Sequence, residues 1–176
     1  MWFGIDYEPT IAVGKTRDYI SWPGYYGAGF EWRTFRSHHV AWSLSAARQV
    51  MYQTTDDVLV VGNTTISGTQ VRYLDFIPLL AGVNYHFLGR KNRIRPFLEL
   101  SAGAYYVKQR FEIGSVNFVL NDNWHFGLTP EVGLTFLTPD LDFYGFVSTK
   151  FNYVFARDNS IDYTYVTLRL GFVYLL

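Results

Sequence analysis

Apolar and non-apolar positions alternate with a period of two in eight separate segments of this chain. That is the signature of strands whose two faces meet different surroundings. In the first, Phe3, Ile5 and Tyr7 alternate with Gly4, Asp6 and Glu8; in the second, Tyr26, Ala28, Phe30 and Trp32 alternate with Gly27, Gly29, Glu31 and Arg33. The third sets Val40, Trp42, Leu44 and Ala46 against Ala41, Ser43, Ser45 and Ala47. The fourth sets Leu79, Ala81, Val83, Tyr85 and Phe87 against Leu80, Gly82, Asn84 and His86. The fifth opposes Leu98, Leu100, Ala102 and Ala104 to Phe97, Glu99, Ser101 and Gly103. The sixth opposes Trp124, Phe126, Leu128, Val132, Leu134 and Phe136 to His125, Gly127, Thr129, Glu131, Gly133 and Thr135. The seventh has Phe143, Val147, Phe151 and Tyr153 against Tyr144, Phe146, Ser148, Lys150 and Asn152. The last has Val166, Leu168, Leu170, Phe172, Tyr174 and Leu176 against Thr167, Arg169, Gly171 and Val173.

Across the central parts of these runs the apolar face carries no charge, and the other face reads as small or polar throughout. Hydrocarbon demands that allocation, because a Lys or Arg at the bilayer midplane costs about 2–4 kcal/mol. Segments of ~9–11 residues or more are long enough for tilted strands to cross a bilayer. The connections alternate in length. Short turns fall at Ser37-His38-His39, Leu88-Gly89-Arg90-Lys91-Asn92 and Thr138-Pro139-Asp140; longer loops fill Gly14 to Gly24, Gln53 to Gln70, Val107 to Asp122 and Ala156 to Asp162. Outer-membrane barrels show this asymmetry, with tight periplasmic turns and longer external loops. An open sheet in lipid would strand the N–H and C=O groups of its edges, so the first strand is expected to pair with the eighth. The expected fold is therefore all-β, one eight-stranded antiparallel up-and-down transmembrane barrel over residues 1–176.

Pro78 and Pro130 lie inside strand segments and each removes a ladder donor, which predicts a bulge or break near each. Aromatics cluster towards the segment ends: Trp2, Trp32, Tyr85, Phe87, Phe136, Phe143 and Tyr174 at the turn side, Tyr26, Tyr106, Trp124 and Tyr153 at the loop side. They are expected to form two interfacial girdles.

Composition sharpens the picture. Aromatic residues make up 19% of the chain and charged residues only 17%, an inversion of what a soluble surface carries. A soluble calyx would need the bulky set inside and a Gly-rich, weakly charged set in water, the wrong allocation for solubility. Lysine plus arginine balances aspartate plus glutamate at 15 each, so no net field favours nucleic acid or an anionic surface. With no Cys there is no disulfide, thiolate metal site, catalytic thiol or cysteine lipid anchor. No run approaches the roughly 18 apolar residues of a membrane helix. Met1 to Asp6 lacks the marks of a signal peptide, and the reading requires export, so the chain is expected to be a mature form with a start Met added.

The segments from Phe76 to Phe87 and from Arg95 to Tyr105, with Gly127-Leu128-Thr129-Pro130-Glu131-Val132-Gly133-Leu134, resemble the small outer-membrane β-barrel superfamily that includes the OmpX, OmpW and OmpA barrel families. The C-terminus is similar to the assembly signal of such proteins: Arg169, Gly171, Tyr174 and Leu176 occupy its polar, Gly and two hydrophobic places, although the family usually ends in an aromatic and this chain ends in Leu. The resemblance implies residence in the bacterial outer membrane. The partners it implies are outer-membrane lipid or lipopolysaccharide, the barrel-assembly machinery and, through the external loops, another outer-membrane protein.

The inward set contains Asp6, Glu8, Glu31, Arg33, Arg95, Glu99, Glu131, Lys150 and Arg169. Eight strands enclose only enough room for side chains, so these groups are expected to meet one another. A lumen network is expected in which Glu31, Glu99 and Glu131 face Arg33, Lys150 and Arg169, closing the interior; the alternatives are a gated ion path and, as the resemblance to OmpW-like proteins implies, a channel for small or hydrophobic solutes. His38 and His39 fall in a turn, while His86 and His125 fall near opposite ends of the barrel, and Ser101 and Ser148 have no evident base. Lipid-modifying barrels place His, Ser and an acid together, so catalysis is not expected here and no enzyme, cofactor or metal role is assigned. Asp56-Asp57 and Asp140-Leu141-Asp142 read as solvated acids, and Gly27-Ala28-Gly29 as relief of crowding inside the barrel. Residues Val58 to Ile66 read as a hairpin with a Gly62-Asn63 turn, and Phe111 to Leu120 as a similar extension, so the sheet is expected to continue beyond the membrane and offer a surface to a partner. The expected function is a non-enzymatic structural, adhesion or accessory component.

Overall fold

The structure is a computed structural model that describes every residue except 62–63, 89–91, 114–115, 138–142, 158–159 and 176; the side chains of 56–68, 137 and 175 are also outside the description. Among the described residues nine strands form one antiparallel sheet: β1 (Trp2–Tyr7), β2 (Thr10–Val13), β3 (Tyr26–Phe35), β4 (Val40–Val61), β5 (Thr64–His86), β6 (Ile94–Ile113), β7 (Val116–Leu137), β8 (Phe143–Val154) and β9 (Tyr163–Leu175). The ring closes because β1 pairs on both sides: Ile5 stands opposite Phe30 of β3 and Phe172 of β9. Strand β2 continues β1 along β9 after an interruption at Glu8-Pro9, where proline has no N–H to give to the ladder. The two together make one of eight ring positions.

Alternation decides which way each side chain points. On β6, Leu98 and Leu100 are about half exposed or more, at 50% and 60%, while Phe97, Glu99 and Ser101 between them are buried. The same parity puts Ile5, Trp42, Phe126, Val132 and Phe172 on the outer wall. An apolar surface of this extent is out of place in water and matched to acyl chains.

The ladder gives way beside both internal prolines. Pairing of β4 with β5 runs to Ala46 opposite Leu79 and resumes at Gln49 opposite Phe76; pairing of β7 with β8 runs to Leu128 opposite Tyr153 and resumes at Glu131 opposite Lys150. Register is unchanged across each gap, and both prolines stay paired with β6, so each removes rungs on one side only. A separate register shift occurs at Gln109/Arg110 between β6 and β7.

The structure departs from the sequence expectations in four places. Trp2 is not in a girdle: at 3% exposure it points into the lumen, in parity with Gly4 and Asp6. The segment after Val13 is not simply a loop, because Gly14–Tyr19 forms a short helix, α1, beside β9. The stretches Gln53–Gln70 and Val107–Asp122 are mostly strand rather than loop, as the extensions expected at Val58 to Ile66 and Phe111 to Leu120 anticipate, since β4 pairs with β5 as far as Val61 opposite Thr64 and β6 with β7 as far as Ile113 opposite Val116. The inner face is not small or polar throughout: Met51, Leu74, Phe76, Val107, Val154, Tyr163 and Tyr165 make its loop-side part apolar. The turn residues Gly62-Asn63, those at 89–91, Thr138-Pro139-Asp140, Asp140-Leu141-Asp142, the Asp56-Asp57 side chains and Leu176 lie outside the described residues.

Candidate functional site: the lumen

Three layers fill the barrel. At the end that carries the N-terminus, Trp2 packs on Phe35 and Tyr144, and the buried His86 ring touches Trp2, Phe35 and Phe97. The Arg95 guanidinium lies 5.6 Å from the Trp2 ring centre and 5.8 Å from that of Phe35, and its Nε donates to the Leu88 carbonyl. Aromatic faces favour such a cation when water is excluded.

The middle layer is ionic. Arg169 Nη1 donates to Glu131 Oε1 at 2.8 Å, its Nε donates to Asp6 Oδ2 at 2.8 Å, and its Nη2 lies 2.7 Å from Glu31 Oε2. Arg33 pairs with Glu31 and lies 3.0 Å from Glu99 Oε2. Lys150 Nζ is 3.5 Å from Glu8 and 3.9 Å from Glu131. Each carboxylate draws further donors: Glu99 accepts from Ser43 Oγ, Ser101 Oγ and Asn84 Nδ2 at 2.7, 2.8 and 2.9 Å, while Glu131 accepts from Ser148 Oγ at 2.5 Å and Glu8 from Gln49. Unpaired, any of these charges would cost several kcal/mol to bury. Glycine makes the space: a Cβ on Gly29 would meet Glu8 Oε1 at 2.9 Å, closer than real contacts allow.

The structure therefore brings Glu31, Arg33, Glu99, Glu131, Lys150 and Arg169 together, and adds Asp6 of β1 and Glu8 just after it. Parity had placed both acids inside; only the register of β1 against β9 could show that they reach Arg169. Ser101 and Ser148 spend their hydroxyls on Glu99 and Glu131. His86 and His125 do fall at opposite ends, and His125 is engaged by Asn121 and the Phe155 carbonyl. Of the C-terminal positions, Arg169 is in the network, Gly171 packs against Asp6 and Phe146, and Tyr174 faces outward beside Phe143.

The third layer is the apolar cluster, with Ile20 wholly buried in it. Helix α1 lies over this cluster, fixed by Thr164 N donating to Thr16 Oγ1 at 2.7 Å and by Arg72 donating to the Tyr19 carbonyl at 3.0 Å. The Tyr19 hydroxyl donates to the Arg110 carbonyl.

Neither a family model nor a curated protein sequence matches the chain. Solved structures do. Neisserial surface protein A superposes with a TM-score of 0.67 at 13% identity, covering 99% of this chain and 96% of that one. Ail, the attachment invasion locus protein of Yersinia pestis, solved with the heparin analogue sucrose octasulfate, gives 0.55 at 17% identity over 98% and 94%. The N-terminal β-barrel domain of Pseudomonas aeruginosa OprF gives 0.54 at 12% identity over 98% and 96%. Full-length coverage with a ring of eight antiparallel strands leaves one conclusion: the chain has the fold of the small eight-stranded outer-membrane β-barrels.

Proposed function

We propose that this chain is a non-enzymatic protein of the bacterial outer membrane, a structural, adhesion or accessory component that keeps its lumen closed and works through the sheet standing beyond the membrane. The observation that carries the reading is the contrast between the two ends of the molecule. The lumen is occupied by side chains bonded to one another, whereas β4 to β7 run on past the barrel wall. Beyond Val50, β4 has eleven more strand residues, about 35 Å of extended chain. Above Phe126 the outer side of β7 meets no strand among the described residues, and Val116, Phe118, Val119 and Leu120 there are all exposed. Exposed apolar residues on an unpaired strand edge invite a partner chain. Ail, whose name records attachment and invasion, shares the fold and supports the adhesion form of the reading.

The test combines two measurements on one preparation. In planar bilayers the purified barrel is expected to give no large steady conductance. Cells displaying the intact chain are expected to adhere to an epithelial surface better than cells displaying a form trimmed of residues 57–68. A steady conductance would replace the closed lumen with a solute path, and equal adherence would remove the protruding sheet from the account.

A further inference from the structure

The wall of the barrel has a notch at its loop end. Strand β8 stops at Val154, opposite Gly127 of β7 and Tyr163 of β9, whereas β7 extends past that level to Val116. The chain after β8 bends across the opening: Ala156 N donates to Asp162 Oδ1 at 2.8 Å, Arg157 N to Ser160 Oγ at 2.9 Å and Ser160 N to the Arg157 carbonyl at 3.0 Å. Between this bend and β7 lies a cavity of about 360 Å³. Ligand clefts span about 300–1,000 Å³, so this one has the size for a small ring and not for a long chain.

The floor is an amide network drawn from β6, β7 and β9. His125 Nδ1 lies 3.0 Å from the Phe155 carbonyl, which can only accept, so Nδ1 carries the proton and Nε2 accepts from Asn121 Nδ2 at 2.9 Å. Asn121 Nδ2 also donates to the Tyr163 hydroxyl at 2.8 Å, and that hydroxyl donates to Gln109 Oε1 at 2.9 Å. Asn123 Nδ2 donates to Asn121 Oδ1 at 3.2 Å. Gln109, Asn121 and Tyr163 are each more than nine-tenths buried, and their polar ends are oriented before any ligand arrives.

At the rim, Asn123 Oδ1 and the Ser160 hydroxyl proton have no partner among the described residues, which leaves an acceptor and a donor on offer. Leu120 and Ile161 make the sides apolar. Leu120 comes to this place through the register shift: Gln109 pairs with Asn121 and Arg110 with Val119, so Leu120 is the extra residue, and a bulge re-aims a side chain. Among the described residues no carboxylate lines the cavity, and its cation, Arg157, turns Nη1 to the Trp124 carbonyl at 2.9 Å.

We infer that the notch is a binding site for a neutral saccharide ring, with ring hydroxyls on Asn123 and Ser160 over the amide floor and a C–H face between Leu120 and Ile161. A sugar hydroxyl both donates and accepts, which an amide oxygen beside a serine hydroxyl satisfies and an apolar ligand leaves unpaired. An anion would meet a single guanidinium that is already engaged, and a cation would meet no counter-charge. The site requires neither the closed lumen nor adhesion through the protruding sheet.

Saturation-transfer NMR on the barrel in lipid nanodiscs tests it, using the methyl glycosides of glucose, galactose, mannose, N-acetylglucosamine and N-acetylgalactosamine. Methyl glucuronide is the charged comparison and cyclohexanol the apolar one. Asn123→Leu removes the acceptor from an exposed rim position, Asn121→Leu removes the central amide of the floor, and Thr54→Leu, exposed on β4, is the control. Heat-dependent gel mobility verifies that each variant folds, and Asn123→Leu alone decides if the buried substitution does not. At least one neutral glycoside is expected to bind the parent with a Kd of about 1 mM or tighter, ahead of both comparisons. Asn123→Leu is expected to weaken it about fivefold and Asn121→Leu about tenfold, with the control unchanged. Failure of every neutral glycoside to bind, tighter binding of the glucuronide or of cyclohexanol, unchanged affinity in a folded notch variant, or an equal loss in the control would each overturn the assignment.

Discussion

Arg169 on the last strand and Asp6 on the first are joined by a hydrogen bond of 2.8 Å across the line where the barrel closes. The same guanidinium reaches Glu131 on β7 and Glu31 on β3, so one side chain ties four strands around the seam. The remaining wall pairs strands adjacent in sequence; only β1, with its continuation β2, and β9 must find each other from opposite ends of the chain. An inward arginine at that junction gives the closing register an ionic partner set that a slip by one residue would turn out into lipid.

Arg169→Met is expected to cost about 3–5 kcal/mol, because it leaves several buried carboxylates without their shared cation. Guanidinium unfolding of the barrel in vesicles, followed by tryptophan fluorescence, reads this as a lowered midpoint; an unmoved midpoint would show that the carboxylates find other partners.

Pro130→Val is expected to be stabilising by about 0.5–1.5 kcal/mol, since it restores an N–H facing β8 where rungs are missing. The outward position suits a β-branched residue. The same unfolding measurement checks it, and a lowered midpoint would mean that the break is needed, for instance to seat the Tyr105–Asn152 hydrogen bond of 3.0 Å beside it.

Glycines separate into two kinds. A Cβ on Gly145 meets nothing within 4 Å, so Gly145→Ala is expected to leave stability unchanged or raise it by about 0.5–1 kcal/mol. A Cβ on Gly82 would meet Ser43 Oγ at 2.9 Å and the Leu100 carbonyl at 3.0 Å, so Gly82→Ala is expected to destabilise by about 1–3 kcal/mol through overpacking. Equal effects at the two sites would contradict the packing described for the inner face.

The period-two pattern was enough to place Leu98 and Leu100 outside and Glu99 and Ser101 inside, and with them the ring and six members of the ionic layer; that Asp6 and Glu8 join it needed the register of β1 against β9. Trp2 departs from the girdle expectation because parity outweighs residue type: Trp2, Gly4 and Asp6 share a face, and an aromatic at a strand end need not be in a girdle. The apolar cap escaped because alternation fades where both faces are apolar, as around Met51, Phe76 and Val107. Helix α1 is six residues long, preceded by Val13 with no side-chain cap, and lacks the start signals that sequence reading relies on. Its position comes from tertiary contacts, the burial of Ile20 and the bond from Thr164 to Thr16.

The central claim is that, along the membrane-spanning strands, the outward set of residues meets lipid while the alternate set points into the lumen. Because the chain has no native Cys, single cysteines are unambiguous labels. Nitroxides attached to the cysteines of Leu100→Cys, Val132→Cys and Phe172→Cys variants in a barrel reconstituted into vesicles are the direct measurement. The account predicts relaxation by oxygen dissolved in the bilayer and protection from a water-soluble nickel chelate at all three. Exposure of these sites to the chelate with protection from oxygen would turn the barrel inside out and contradict it.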